Sequence, residues 1–310
     1  MKNICRLLSA ALALLMLLAV TASAEALEGI TVTYVTSPLN VPSIVEKDGA
    51  WLAEGLGMSV EYAQIDSGAD QTAALASGDI QILNAVGGTS VILAAANGAD
   101  IKIISMYSRS PEAFMLFSAD ESINSPEDLA GKTIAGPKGT NLHELLASYL
   151  ATADMTIDDV NFVNMDIPSS YAALEGGSVD CALLAGAVAY NCKSSGMHLV
   201  TNGDGLIAAT ILTATTQEFY DAHPEVIEGF AATQDSIVAY MNENHDDVVA
   251  LAAETLGLEP AAVEEMYAMY DFSPVITDDD IASLQATADF MYGNAMIETE
   301  VDASTLILER

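Results

Sequence analysis

Residues 75–90, LASGDIQILNAVGGTS, decide how the rest of the chain is read. A small-residue helix ends at Gly78, and the apolar run 80–83 predicts a buried strand. The chain then breaks into Gly87-Gly88-Thr89-Ser90 before another apolar helix. Glycines at the end of a strand let a ligand approach the backbone, and the hydroxyls of Thr89 and Ser90 can cap the helix or hydrogen-bond an anion. The same four residues also make an ordinary helix start, so this loop alone leaves two readings open.

Upstream, the pattern repeats. The run 29–35 (GITVTYV) predicts a strand and 42–54 the helix after it. The run 59–65 (SVEYAQI) predicts a second strand, followed by Asp66-Ser67-Gly68-Ala69-Asp70 and a helix over 71–77. Short β-rich runs alternating with helical patterns point to an α/β fold with a parallel sheet.

From residue 101 the rhythm changes, because IKIISMYSRSPEAFMLFS is two extended runs joined by a polar loop. A second α/β series follows. It has a short helix in SPEDLAG, a strand over 132–135, a Gly/Pro loop and a helix from Asn141. A strand at 160–164, the loop 166–170, a helix over 171–175 and a strand over 179–184 continue it. The segment 206–216, LIAATILTATT, is expected to hold another pair of extended runs, and from Gln217 the pattern is almost wholly helical. The chain is therefore expected to leave one lobe, build a second and return. The lobes are expected at 25–108 with 213–310, and at 109–212 between them.

The amino terminus is set apart from this scheme. Lys2 and Arg6 precede an apolar run over 7–20, and Ala22-Ser23-Ala24 follows with small residues at the cleavage positions. This predicts a secretory signal peptide over 1–24, the alternative being an uncleaved anchor, since the run is shorter than the roughly 20 residues that span a bilayer. Cys5 precedes the apolar run and cannot be a lipid-attachment cysteine. The mature protein is expected to be extracytoplasmic, in the periplasm or otherwise secreted, without a lipid anchor.

With 51% hydrophobic and 17% charged residues the chain can build a large core. Its formal charge is −35, or −37 once Lys2 and Arg6 are removed. That excludes the basic footprint of a nucleic-acid binder. Residues 217–310 contain one basic residue, Arg310, and read as a solvated acidic face. Cys181 and Cys192 are expected on a strand and on the helix packed over it, about 10 Å apart. That is beyond the roughly 7 Å a disulfide tolerates, so two free buried thiols are expected. His143, His198, His223 and His245 show no metal-ligand spacing with each other or with the cysteines. No cofactor is expected.

In open α/β sheets ligands bind beyond the carboxyl ends of the strands, where helix N-termini offer free N–H groups. In the first lobe this edge would hold Ser37, Asn40, Ser67, Gly68, Asp70, Gly87, Gly88, Thr89 and Ser90. In the second it would hold Gly139, Thr140, Asn141, Ser169, Ser170 and Gly186, with His143 in the first turn of its helix. Two such edges facing each other make a cleft. The loop GPKGTN lacks the Gly-Lys-Ser/Thr ending of a phosphate-cradling loop. Arg109, between the two extended runs, stands near the expected hinge and is either an anion contact or a partner of the abundant acids. Asp70 and Asp166 could face a ligand amine or simply cap helices.

The stretches DSGADQTAALASGDIQILNAVGGTS, SPEDLAGKTIAGPKGT, AALEGGSVDCALL and TTQEFYDAHPEVIEGFAA resemble, in this order, the periplasmic substrate-binding proteins of ABC importers. The group is the one for nitrate, sulfonate and taurine, which also includes binders of thiamine pyrimidine precursors. The resemblance implies a two-lobed type II periplasmic-binding-protein fold with two crossover strands as hinge and a ligand cleft between the lobes. It also implies a monomer that hands a small polar organic molecule to a permease served by an ATPase. One departure stands out: many sulfonate and taurine members carry a Trp and a Pro where this chain has Ala185-Gly186-Ala187-Val188, and the only tryptophan here is Trp51. Two other functions use the same cleft. One is a ligand-sensing module for a membrane receptor. The other is an enzyme, for which His143 could serve Ser169 or Ser170 as a base, though no Gly-x-Ser-x-Gly elbow is present.

Overall fold

The computed structural model describes residues 27–36, 39–65 and 67–310; the expected signal segment and Ser37 lie outside the described residues. In chain order the first stretch runs β1 (Gly29–Thr33), α1 (Val41–Asp48), α2 (Trp51–Leu56), β2 (Ser59–Ala63), α3 (Gly68–Ser77), β3 (Leu83–Gly87), α4 (Gly88–Ala96) and β4 (Lys102–Arg109). The middle stretch runs β5 (Phe114–Ser118), β6 (Thr133–Gly136), α5 (Asn141–Ala151), β7 (Asn161–Asn164), α6 (Ile167–Glu175), β8 (Cys181–Ala185), α7 (Gly186–Ser194) and β9 (His198–Asn202). The chain closes with β10 (Thr210–Thr215), α8 (Gln217–Ala222), α9 (Pro224–Glu243), α10 (His245–Leu256), α11 (Pro260–Tyr267) and α12 (Asp278–Gly293).

The two lobes repeat one strand order. In the second the order is β7-β6-β8-β5-β9, with β6 parallel to β7 and β8, and β5 antiparallel to both its neighbours. In the first, β2 and β1 are parallel, a parallel bridge from Val32 to Ile82 carries the order on to β3, and β10 lies antiparallel between β3 and β4. Each lobe is thus four parallel strands with one antiparallel strand inserted before the last. The chain passes between the sheets twice, from β4 to β5 and from β9 to β10.

Local chemistry explains where the elements depart from the sequence expectation. The helix expected over 42–54 is two helices, because Ala50 takes a left-handed φ of 51° and the Trp51 ring packs against Gly49 too closely to admit a Cβ. The strand expected over 80–83 begins only at Leu83. Ahead of it the Gln81 side chain occupies the ladder, accepting from Thr31 N at 2.8 Å and donating to Gly78 O at 2.9 Å. The strand then continues to Gly87 because β10 pairs with it through Ile211, and Ala85, at φ 74°, forms a bulge. Of the two extended runs expected over 206–216 only β10 forms. Ala209, at φ 47°, turns the chain before it, and the other extended run is β9, upstream at His198–Asn202. Helices α3 and α6 start three and four residues earlier than expected, each because a side chain at its N-cap holds the first turn.

Apolar side chains bury on both faces of each sheet. Leu83, Val86, Ile103 and Leu212 meet Val91 and Ile92 of α4 and Leu284, Ala288 and Met291 of α12. On the other face Ile30, Val32, Ile82 and Ile104 pack on Ile227 and Phe230 of α9. In the second lobe Leu116, Ile134, Cys181 and Leu183 meet Leu142, Leu145 and Leu146 of α5, while Phe117, Ala182 and Leu184 meet Leu174 and Cys192. Both cysteines are free and buried, as expected.

Candidate functional site

Parallel strands end on one edge, and the helices that follow them begin there. In the first lobe Ala63, Thr33 and Gly87 end the strands, with α3, α1 and α4 next. Ser67 caps α3 by accepting from Asp70 N at 3.3 Å. Gly68 lies so close to Ser90 Oγ that a Cβ there would clash, so the starts of α3 and α4 touch. At α1 the Asn40 side chain donates to Val35 O at 2.9 Å, and Ser43 N donates to Tyr107 OH at 3.0 Å. A tyrosine from β4 therefore does the capping, which no local pattern announces.

The Gly-Gly-Thr-Ser loop is tighter than its sequence suggests. Gly87 is the N-cap of α4 and Gly88 its first residue, with no side-chain cap; neither Thr89 nor Ser90 plays that part, and Thr89 is buried. Gly88 is needed for packing, since a Cβ would stand 2.5 Å from Thr210 Oγ1 and 3.0 Å from Leu284 Cδ2. Gly87 alone keeps an open face, with only Thr89 Oγ1 at 3.7 Å from where a Cβ would be. An uncapped helix start built this way offers backbone N–H groups and the positive end of the helix dipole.

In the second lobe Gly136, Asn164 and Ala185 end the strands and α5, α6 and α7 follow. Lys138 N donates to Asn164 Oδ1 at 2.9 Å and ties two of the loops together. Gly139, at φ 74°, lets the loop turn, and its N–H donates to His143 Nδ1 at 3.3 Å. Thr140 Oγ1 donates back to Pro137 O at 2.9 Å rather than capping α5, whose start holds the buried Asn141. Asp166 caps α6, accepting from Ser169 N at 2.7 Å, and the hydrogen bonds from Ser169 hold its carboxyl below the usual range. Ser170 is fully buried and donates to Asp166 O at 2.8 Å, so its hydroxyl is turned into the helix. At α7, Ala185 is the N-cap and Gly186, at φ 60°, the first residue.

Arg109 is engaged within the chain. Its guanidinium donates to Asp280 through Nε and Nη2 at 2.6 Å each, and to Asp271 Oδ2, Ser273 O and Val275 O at 3.2, 3.0 and 2.7 Å. These bonds use all five donors of the group. The expected anion contact is therefore replaced by the other reading, pairing with acids. Burial works against the Asp280 carboxylate, but hydrogen bonds from Arg109 and Thr277 hold its pKa down to about 2. Beside this clamp the hydroxyls of Ser108, Ser110 and Tyr270 are buried without a hydrogen-bond partner among the described residues.

Two acids were not legible as special. Glu46 of α1 is buried, accepts from Tyr62 OH and has Asn84 Nδ2 at 3.5 Å. Glu144 of α5 is buried and accepts from Thr287 Oγ1 of α12 at 2.9 Å, across the lobes. Burial pushes each carboxyl up to about 7. An acid on the inner stripe of an amphipathic helix is the signal that could have found them. Also between the lobes, Lys138, His143 and Phe162 face Leu93, Met291 and Met296 across an open groove of about 980 Å³. Among the described residues no group of three or more His, Cys, Asp or Glu could hold a metal ion, and no helix is long and apolar enough to cross a membrane.

Two sheets of one strand order, crossed twice by the chain and each presenting helix starts along one edge, define the class of two-lobed periplasmic-binding-protein folds. Comparison with known proteins agrees. The chain is 23% identical over 273 residues to a putative aliphatic sulfonates-binding protein of Bacillus subtilis, covering 86% of this chain and 82% of that protein. It is 32% identical over 208 residues to the taurine-binding periplasmic protein of Escherichia coli, covering 65% and 63%. The alkanesulfonate-binding protein SsuA from Xanthomonas axonopodis pv. citri, solved bound to MOPS, shares the fold with a TM-score of 0.83 at 21% identity, over 92% of this chain and 99% of that one. The fold also carries catalysis, since the desulfurization enzyme DszB matches with a TM-score of 0.68 at 14% identity, over 92% and 97%. The family profile described as NMT1/THI5 like matches residues 37–248, and the chain belongs to that family.

Proposed function

We propose that the protein is an extracytoplasmic solute-binding subunit of an ABC importer. It captures a small organic anion of the sulfonate or taurine kind and presents it, as a monomer, to a permease driven by an ATPase. The observation that carries this reading is the set of helix starts at α4, α5 and α7, each at a strand's carboxyl end. The first N-cap is Gly87, which has no side chain to offer; the second is Thr140, whose hydroxyl is turned to Pro137; the third is Ala185. Uncapped N–H groups suit an anionic head group without a charged side chain. Under this reading residues 25–108 and 213–310 form one lobe and 109–212 the other. They close on the ligand about the two crossings, where Ser110 and Tyr270 supply hydroxyls without a hydrogen-bond partner among the described residues. The taurine and sulfonate relatives support the substrate class and the location, and a signal peptide over 1–24 would deliver the chain there.

Binding without turnover fits the cysteines. Burial pushes Cys181 up to about 11 and Cys192 up to about 12, so neither thiol is a ready nucleophile. The test is a thermal-shift and calorimetric panel on residues 25–310 with taurine, alkanesulfonates, nitrate, carboxylates and pyrimidines. One compound at 100 times its Kd should stabilise the fold by about 2.7 kcal/mol. A panel in which pyrimidines alone register would move the substrate class, and consumption of the bound compound would replace binding by catalysis.

A further inference from the structure

The groove between α5 and α12 contains a donor that no other described residue uses. His143 is buried, only 5% exposed, and its ring stacks on Phe162 with centroids 4.9 Å apart and planes 18° from parallel. Gly139 N–H donates to Nδ1, so in the neutral ring the proton sits on Nε2. Burial, with Lys138 adding charge repulsion, holds the imidazole pKa below its usual value and keeps the ring neutral at pH 7. Nε2 has no hydrogen-bond partner among the described residues, and His143 lines the groove.

The surroundings of that N–H are selective. Lys138 is the groove's one base and Asp158 its one acid, while Leu93, Phe162, Met291 and Met296 make apolar walls. The groove runs from Gly139 and the 156–160 segment in the second lobe to Leu93 of α4 and Met291 of α12 in the first, so a molecule bound there touches both. We propose that His143 is the specificity-determining donor of this groove: its Nε2–H hydrogen-bonds an oxygen of the ligand's anionic head, and the ligand's body is alkyl or aryl and lies along the Leu93, Met291 and Phe162 wall. This rests on the solute-binding reading and narrows it, because a head group alone, without an apolar body, would leave the wall unused.

The test separates the two ring nitrogens. Glutamine places its amide nitrogen near Nε2 and asparagine places its amide near Nδ1, so His143→Gln keeps the donor to the ligand and His143→Asn keeps the acceptor for Gly139. Binding of 1-pentanesulfonate, benzenesulfonate and inorganic sulfate is measured by calorimetry at pH 7.5, with the fold of each variant checked by circular dichroism. The expected result is that both organic sulfonates bind at least tenfold more tightly than sulfate. His143→Gln should stay within about threefold of the parent, and His143→Asn should weaken both sulfonates tenfold or more.

Asparagine binding better than glutamine would make His143 a loop anchor and overturn the assignment, as would two variants equal to the parent. Should both variants lose binding or fold poorly, nitrogen NMR on the parent decides: addition of 1-pentanesulfonate must move the His143 Nε2 resonance, and a still resonance overturns the assignment. Sulfate binding as tightly as the organic sulfonates overturns the apolar wall. A parent protein that binds none of the three fails at the earlier step, the sulfonate reading itself.

Discussion

Asp280 on one side and Glu46 and Glu144 on the other are buried acids handled in opposite ways. Asp280 lies under an arginine whose bonds hold it ionised, with its pKa near 2. Among the described residues Glu46 and Glu144 accept hydrogen bonds only from hydroxyl or amide donors, and burial raises both to about 7 even with Lys47 near Glu46. All three are nearly closed to solvent, and what sets Asp280 apart is the paired arginine together with the hydrogen bonds from Thr277. Residues 25–310 hold 44 acids and seven Lys and Arg, and the sole arginine between Arg6 and Arg310 is used at the crossing between the lobes. The other two acids stay protonatable in the physiological range. The lesson is that the one arginine of this stretch is used to keep a buried acid ionised where the chain crosses between the sheets.

The two groups act on opposite arms of the pH–stability curve. Asp280 binds its proton less tightly folded than unfolded, so its contribution is present above about pH 3.8 and is lost as pH falls toward 2. Glu46 and Glu144 bind theirs more tightly when folded, so their contribution is full below about pH 4.5 and is lost as pH rises through 7.

The largest effect expected is from Arg109→Met, which strands Asp280 without a cation and should cost about 3–5 kcal/mol in urea unfolding at pH 7. Adding Asp280→Asn should recover most of it; an unrecovered double variant would show that packing, not charge, matters at the clamp. Next, Glu46→Gln should raise stability by about 2 kcal/mol at pH 8 while changing little at pH 5, and it should flatten the slope between them. An unchanged slope would remove Glu46 from the account. Thr287→Val takes away the one bond that favours ionised Glu144, so that acid should titrate higher and stability at pH 8 should fall by about 1 kcal/mol. Asp166→Ala, which removes an exposed helix cap, should change stability least of the four, lowering it by the same amount at 50 mM and 500 mM salt. A strong salt dependence there would mark the aspartate as an ion-pair partner instead.

Much of the scaffold could be read from residues in sequence. The alternation of strands and helices, the paired extended runs around Arg109 and the free cysteines all depend on periodicity or local spacing, and the helix starts at Gly88, Asn141 and Gly186 were marked by glycines and hydroxyls. What stayed hidden was long-range. Arg109 is tied to residues 162–171 positions away, Tyr107 caps a helix 64 positions back, and Glu144 meets Thr287 only after the lobes come together. The break at Gly49-Ala50 was missed because a helical pattern continues through it while the Trp51 ring enforces it in space. Ser170 was misread for a related reason: a serine in a first turn can face out or bond backward, and only the capped helix decides.

The strand order has a consequence for how the chain comes into being. The strand between β3 and β4 is β10, more than a hundred residues downstream, and the helix covering that sheet ends at Gly293. A polypeptide emerging from its amino end therefore cannot finish the first half of the molecule until nearly all of the second has been made. The second sheet, in contrast, draws all its strands from residues 114–202 and needs none made later. A protein wired in this way can complete its second sheet before its first, although the first was begun earlier.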